Sequence, residues 1–151
     1  MQKITPFLWF DGRAKQAARF YTSIFKDSKI IRISDMSATF ELAGQRFMAL
    51  NGGPQFKFTE AISFFVSCET QKEVDYYWQK LSTGGEKSRC GWLKDKFGIS
   101  WQVVPTILGD LLGDQDEEKS DRVFQAMLKM RKLDIKTLQR AYTDKTRRKP
   151  T

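Results

Sequence analysis

Two β-rich apolar runs face each other across Asp95-Lys96-Phe97-Gly98. The whole stretch runs from Gly91 through Trp92-Leu93-Lys94 to Ser100-Trp101-Gln102-Val103-Val104. A glycine at the end of such a four-residue break supplies the positive φ that a tight reversal needs. The pattern therefore predicts a β-hairpin with aromatic residues on both arms. It limits the chain to folds containing antiparallel strands, and the remaining sequence reads as an earlier copy of the same unit followed by a helical tail.

Taken in order, Ile4–Phe10 (ITPFLWF) is an apolar run of strand length, ended by Asp11 and Gly12. Asp11 is the expected N-cap of an amphipathic helix over 13–25, with Ala14, Ala17, Ala18, Tyr21, Ile24 and Phe25 at helical spacing. Lys29–Ser34, Ala38–Leu42 and Arg46–Leu50 are predicted strands, punctuated by Ala43-Gly44-Gln45 and Asn51-Gly52-Gly53-Pro54. The order then repeats. Ala61–Val66 is a strand, and Thr70 caps a helix carrying Val74, Tyr77, Trp78 and Leu81 that ends at Gly84-Gly85. A short strand at 86–89 enters the hairpin. Aligning Phe10 with Val66, Phe20 with Tyr77 and Phe47 with Trp101 gives an internal period of roughly 54 to 57 residues.

After Pro105 the pattern turns helical. Thr106–Leu112 is one short helix. A second begins at Asp116-Glu117-Glu118 and is expected to end near Lys129, Arg131 and Lys132, charges that suit the two ends of a helix dipole. Val123, Phe124, Met127, Leu128 and Met130 form its apolar stripe, which reads as core or as a dimer contact. Asp134 caps a last helix with Ile135, Leu138 and Tyr142. The expected organisation is thus two modules, 1–54 and 60–105, sharing one domain, then a helical extension over 106–142 and a disordered basic tail over 143–151.

Composition closes off several chemistries. The chain has no histidine, so no Ser-His-Asp or Cys-His arrangement and no imidazole-ligated metal is available. Cys68 and Cys90 are too few for a disulfide framework and read as inert thiols of a reduced cytoplasm. No apolar run is long enough to span a bilayer, and no signal-peptide pattern opens the chain, so a cytoplasmic protein without membrane contact is expected. The formal net charge of +8 is concentrated partly in Lys145, Arg147, Arg148 and Lys149. Basic and aromatic residues are not interleaved on one surface, and no nucleic-acid partner is expected.

Two βαβββ modules in tandem resemble the vicinal oxygen chelate superfamily, the glyoxalase/bleomycin-resistance fold. Asp11-Gly12-Arg13 followed by Ala17-Ala18-Arg19-Phe20-Tyr21 looks like its first helix, and Asp95-Lys96-Phe97-Gly98 like its late turn. The closer resemblance is to the PhnB-like branch, whose members carry the label 3-demethylubiquinone-9 3-methyltransferase. It rests on Gly44–Pro54, on Cys90–Asp95, and on Gln125–Met130 with Leu133-Asp134-Ile135, and it covers Ile4–Tyr142. The resemblance implies an α+β fold in which each module is a cup-shaped half-barrel with helices outside and ligand inside, and it implies a homodimer. Metal-dependent members ligate from the first and fourth strands of each module. Those places fall near Thr5, Met48, Ala61 and Gln102, which offer no carboxylate or imidazole, so neither a metal nor another cofactor is expected. Methyl transfer on a doubly wound fold needs a glycine-rich strand-to-helix turn, whereas Gly52-Gly53 follows a strand of a hairpin and Gly84-Gly85 follows a helix.

Strand alternation sorts what would face the cups. Leu8 and Phe10 turn to the helix, leaving Thr5, Phe7 and Trp9. Ile62, Phe64 and Val66 turn to the helix, leaving Ser63 and Phe65. Trp101 and Val103 go to core, leaving Ser100 and Gln102. The expected ligand-binding set is Thr5, Phe7, Trp9, Met48, Asn51, Ser63, Phe65, Trp92 and Gln102, an aromatic lining with a few neutral polar groups. No catalytic residue stands out. The reading is a metal-independent binder of a small, flat molecule. The alternative is an enzyme of the same fold acting on a small carbonyl or quinone-like substrate. Asp95 is expected to stabilise its turn rather than to react.

Overall fold

The reversal forms as its residues dictate. Gly98 takes φ +92°, and the Asp95 carboxylate receives the backbone N–H groups of Phe97 and Ile99 at 2.8 and 3.1 Å. This turn joins antiparallel strands in the computed structural model, which describes residues 2–144. The expected tail lies, apart from Thr143 and Asp144, outside the described residues.

The chain divides into two compact units, Met1–Thr59 and Glu60–Thr151. The first holds β1 (Phe7–Phe10), α1 (Ala14–Ile24), β2 (Ser28–Ile33), β3 (Ser37–Leu42) and β4 (Gln45–Asn51) in a mixed sheet of order β1-β4-β3-β2. The second repeats it with β5 (Ser63–Cys68), α2 (Gln71–Ser82), β6 (Glu86–Lys87), β7 (Trp92–Lys94) and β8 (Ser100–Pro105), in the order β5-β8-β7-β6. In each sheet the first strand pairs parallel to the fourth and the other neighbours are antiparallel. Neither sheet closes into a barrel.

Each sheet buries one face under its helix. In the first unit Leu8, Phe10, Ala38, Phe40, Leu42, Phe47 and Ala49 are buried with Ala14, Ala17, Ala18, Tyr21 and Ile24 of α1. Tyr21 stacks on Phe40, and Phe40 on Phe47. In the second, Leu93, Trp101 and Val103 are buried with Val74, Trp78 and Leu81 of α2, and Phe64 meets the Trp101 ring edge-on at 5.2 Å.

Local differences from expectation have specific causes. Asp11 does not cap α1. Arg13 occupies the N-cap position without a side-chain bond, and the amide of Ala14 donates instead to Asn51 Oδ1 at 2.9 Å. Strands β1 and β5 start later than the apolar letters suggest, because ladder partners begin only at Phe7–Met48 and Ser63–Ser100. Ile62 therefore precedes its strand and is 74% exposed rather than turned to the helix. Thr70 and Asp134 cap their helices as expected, through Glu73 and Thr137, and Asp116, expected only to bring negative charge to the start of its helix, caps it as well through Glu118 and Lys119.

The extension contains α3 (Thr106–Leu112), α4 (Glu117–Leu128) and α5 (Ile135–Thr143). Leu108, Leu111, Val123, Leu133 and Leu138 pack around Val104 at the end of β8, with Met127, Met130 and Tyr142 partly buried against them. Most of the predicted stripe therefore seals that end of the second sheet, while Phe124 and Leu128 stay 42% exposed. Arg131 and Lys132 lie beyond α4 and do not serve its C-terminus. Arg131 donates to the carbonyl of Lys87 and Lys132 pairs with Asp75. Among the described residues, no helix is long and apolar enough to cross a membrane.

Candidate functional site

Alternation leaves one face of each sheet uncovered by its own helix. On the first sheet Phe7 pairs with Met48 in register, and both are on that face, 55% and 39% exposed. Trp9 lies there too, but its indole N–H donates to the carbonyl of Gly53 at 2.9 Å, and its ring lies so close over Gly52 that an added Cβ would sit 2.2 Å from it. Trp9 is thus roofed by the segment after β4. Thr5 lies outside β1 and is half-buried. Asn51 pairs with Phe10, on the helix side, and its amide nitrogen donates to the carbonyl of Asp35 while its oxygen holds α1. The structure gives Asn51 a positioning task rather than a place on the open face.

On the second sheet the expected residues come together. Ser63, Phe65, Trp92 and Gln102 share one face, since Phe65 and Trp92 both pair with Gln102. The Gln102 side-chain amide donates to Ser63 Oγ at 3.0 Å, and Phe65 is 58% exposed. One row further along, Ser63, Ser100, Lys94 and Glu86 lie side by side across β5, β8, β7 and β6.

A cavity of about 430 Å³ opens at this second row. Trp92 and Leu93 give it apolar wall, Ser88 and Ser100 hydroxyls, and Glu60, Glu86, Lys87 and Lys94 charge. Of the expected set only Trp92 lines it. Lys94 and Glu60, neither of them in the expected ligand-binding set, form an ion pair there. The Glu60 hydrogen bond, then the Glu60 and Glu86 charges, hold the Lys94 ammonium above its ordinary pKa, and Lys94 in turn lowers that of Glu60. Lys94 is therefore a fixed cation and hydrogen-bond donor, not a nucleophilic amine. Ser100 is 2% exposed, and its Oγ is the buried side-chain polar atom that has no hydrogen-bond partner among the described residues. Such an orphan costs about 1–3 kcal/mol unless a partner arrives.

The places from which the fold's metal-dependent members ligate do not fit a divalent ion here. Thr5 precedes its strand, Met48 offers a thioether, Ala61 offers a methyl group, and Gln102, whose Nε2 donates to Ser63, offers a neutral amide oxygen rather than a carboxylate. Among the described residues no group of three or more carboxylate, thiol or imidazole side chains gathers to hold a metal.

Two βαβββ units of identical strand order, each with a helix on one face and an open second face, define a protein of the vicinal oxygen chelate fold. A glyoxalase-related enzyme from Fulvimarina pelagi shares it at 12% identity and a TM-score of 0.53, over 72% of this chain and 91% of that one. A Pseudomonas aeruginosa protein of 18% identity superposes with a TM-score of 0.58, over 70% and 98%. Within that fold the chain belongs to the PhnB-like, or 3-demethylubiquinone-9 3-methyltransferase, family, whose sequence profile matches residues 2–104. It is 40% identical to a protein from Bacillus cereus described as a putative 3-demethylubiquinone-9 3-methyltransferase, PhnB protein. That match covers 70% of this chain and all of the other, with a TM-score of 0.66. No curated protein matches the chain.

Proposed function

We propose that the protein binds a small molecule with a flat apolar part on the open face of its second sheet, without a metal ion. The observation that carries this reading is the unpartnered, buried Ser100 hydroxyl at the wall of a cavity that also offers the Trp92 ring. A ligand that completes the Ser100 bond and covers Trp92 relieves a polar cost and removes apolar surface from water together. The family name describes methyl transfer to a demethylubiquinone. We carry over only the flat shape of such a molecule, because each unit has an open four-stranded mixed sheet rather than a doubly wound parallel one. Metal independence comes, in this reading, from the donor set at Thr5, Met48, Ala61 and Gln102.

The reading includes a homodimer in the cytoplasm. Phe124 and Leu128, one helical turn apart and both exposed, are the part of the stripe left for a second copy. The test is elemental analysis of purified protein together with mass spectrometry of what it releases on denaturation. A released small molecule with no stoichiometric metal is the expected result. Stoichiometric divalent metal would overturn it.

A further inference from the structure

The neighbours of Ser100 narrow the ligand class, granted that the open face of the second sheet binds a small molecule. Lys94 stands directly opposite Ser100 in the β7–β8 register, on the same face, and both line the cavity. Opposed residues of an antiparallel pair have Cβ atoms about 5 Å apart. A hydroxyl in want of a partner and a fixed ammonium are thus presented side by side, with Trp92 on the same strand as Lys94. Two such donors suit one oxygen-rich anionic group.

The protein already shows which group. Glu60 lies outside regular secondary structure, just ahead of β5, and puts its carboxylate on Lys94 from a side chain that is 62% exposed. That carboxylate also receives a hydrogen bond from the backbone of Glu60 itself. An exposed pair of this kind is worth little, so a ligand carboxylate able to reach Ser100 as well competes well for the ammonium.

We propose that the cavity takes a planar monocarboxylate, whose carboxylate displaces Glu60 from Lys94 and accepts the Ser100 hydroxyl while its ring covers Trp92. Glu60 is then a built-in stand-in for the ligand, and its release accompanies binding. Glu86 on the far side of Lys94 sets the charge limit. With one carboxylate fixed there, a monoanion is accommodated and a dianion is repelled.

The experiment titrates the full chain with benzoate, benzamide and phthalate, read at the indole N–H resonance of Trp92 after assignment with Trp92→Phe. A saturable shift with benzoate is expected, with benzamide and phthalate each weaker by roughly tenfold or more. Lys94→Met should remove the preference for benzoate over benzamide, and Lys94→Arg should keep it. Glu60→Gln, at an exposed position, should tighten benzoate by roughly two- to fivefold, since it removes the internal competitor. Equal response to benzoate and benzamide overturns the carboxylate assignment while leaving small-molecule binding intact. Weakened benzoate binding in Glu60→Gln overturns the displacement. Silence with all three probes overturns the inference, and the metal and mass analysis of purified protein judges the broader reading by itself.

Discussion

Trp101 donates its indole N–H to Asp95 Oδ2 at 2.8 Å, across the turn that Asp95 itself builds through Oδ1. One buried carboxylate thereby ties the loop amides to β8, an interior strand of the second sheet, and the cavity wall at Lys94 and Ser100 lies on either side of that loop. Asp95→Ala should lower stability by about 3–5 kcal/mol in urea unfolding, because it strands several buried donors together. Asp95→Asn should cost less: its oxygen can still accept the two amides, while its NH₂ meets the indole donor head-on.

The cap of α1 comes from far along the chain. Asn51→Ala should destabilise by about 1–2 kcal/mol, the usual range for a lost N-terminal acceptor, whereas Asp11→Ala should change stability by less than about 0.5 kcal/mol. Thermal unfolding of the two variants side by side checks the assignment. A larger loss for Asp11→Ala would return the cap to Asp11.

Gly85 is held against β7. A Cβ there would lie 2.1 Å from the carbonyl oxygen of Lys94, which is backbone and has nowhere to swing. Gly85→Ala should cost about 1–3 kcal/mol and shift the Trp92 indole resonance, since the strand bearing Trp92 has to move. Gly44→Ala meets no atom within 4 Å but keeps a φ of +82°, so it isolates backbone strain without a clash and should leave Trp92 unchanged.

The Cys68 thiol is fully buried, and desolvation, followed by the Glu73 carboxylate, pushes its pKa up to about 12 from 9.0. The folded state therefore keeps this proton through pH values at which the unfolded chain has lost it, and stability should fall as pH rises from about 9 toward 12. In Cys68→Ala that part of the decline should vanish when urea midpoints are followed against pH. Thiol reagents at neutral pH should modify Cys90, which is half-buried, well before Cys68.

For the proposed dimer, Phe124→Glu combined with Leu128→Lys should yield a monomer by light scattering with the melting temperature of the single chain little changed, since both side chains are exposed. A wild-type monomer at micromolar concentration would remove the dimer from the account.

Much of the architecture could be read from local signals, because the signals that define it are local. The glycine of the Asp95–Gly98 turn, the caps at Thr70 and Asp134, and the repeated order of strands each depend on neighbours in sequence. What escaped depends on distant partners. Asn51 takes the Ala14 amide from 37 positions further along the chain in place of Asp11, and the apolar letters of Ile4 and Ile62 say nothing of ladders that start only at Phe7 and Ser63. The open faces came from alternation, which placed Ser63, Phe65 and Gln102 together and turned Ser100 inward. Lys94 had a usable signal as well. Once the hairpin closes at Asp95–Gly98, pairing Trp92 with Gln102 forces Lys94 opposite Ser100. Glu60 had none, since its partner is chosen by the path of an irregular segment.

The helices gathered on Val104 turn the second trough into a blind alley. From Ser100 to Val104 the strand advances about 13 Å, so a ligand bound as proposed beside Ser100 would have only that distance before meeting their wall. One or two fused rings lie within such a length; a prenyl tail of several units does not, and would have to trail out past Glu86. The duplicated halves share a strand order but only the second carries such a stopper at Val104, and in the proposed binding mode that stopper sets the largest guest it can keep.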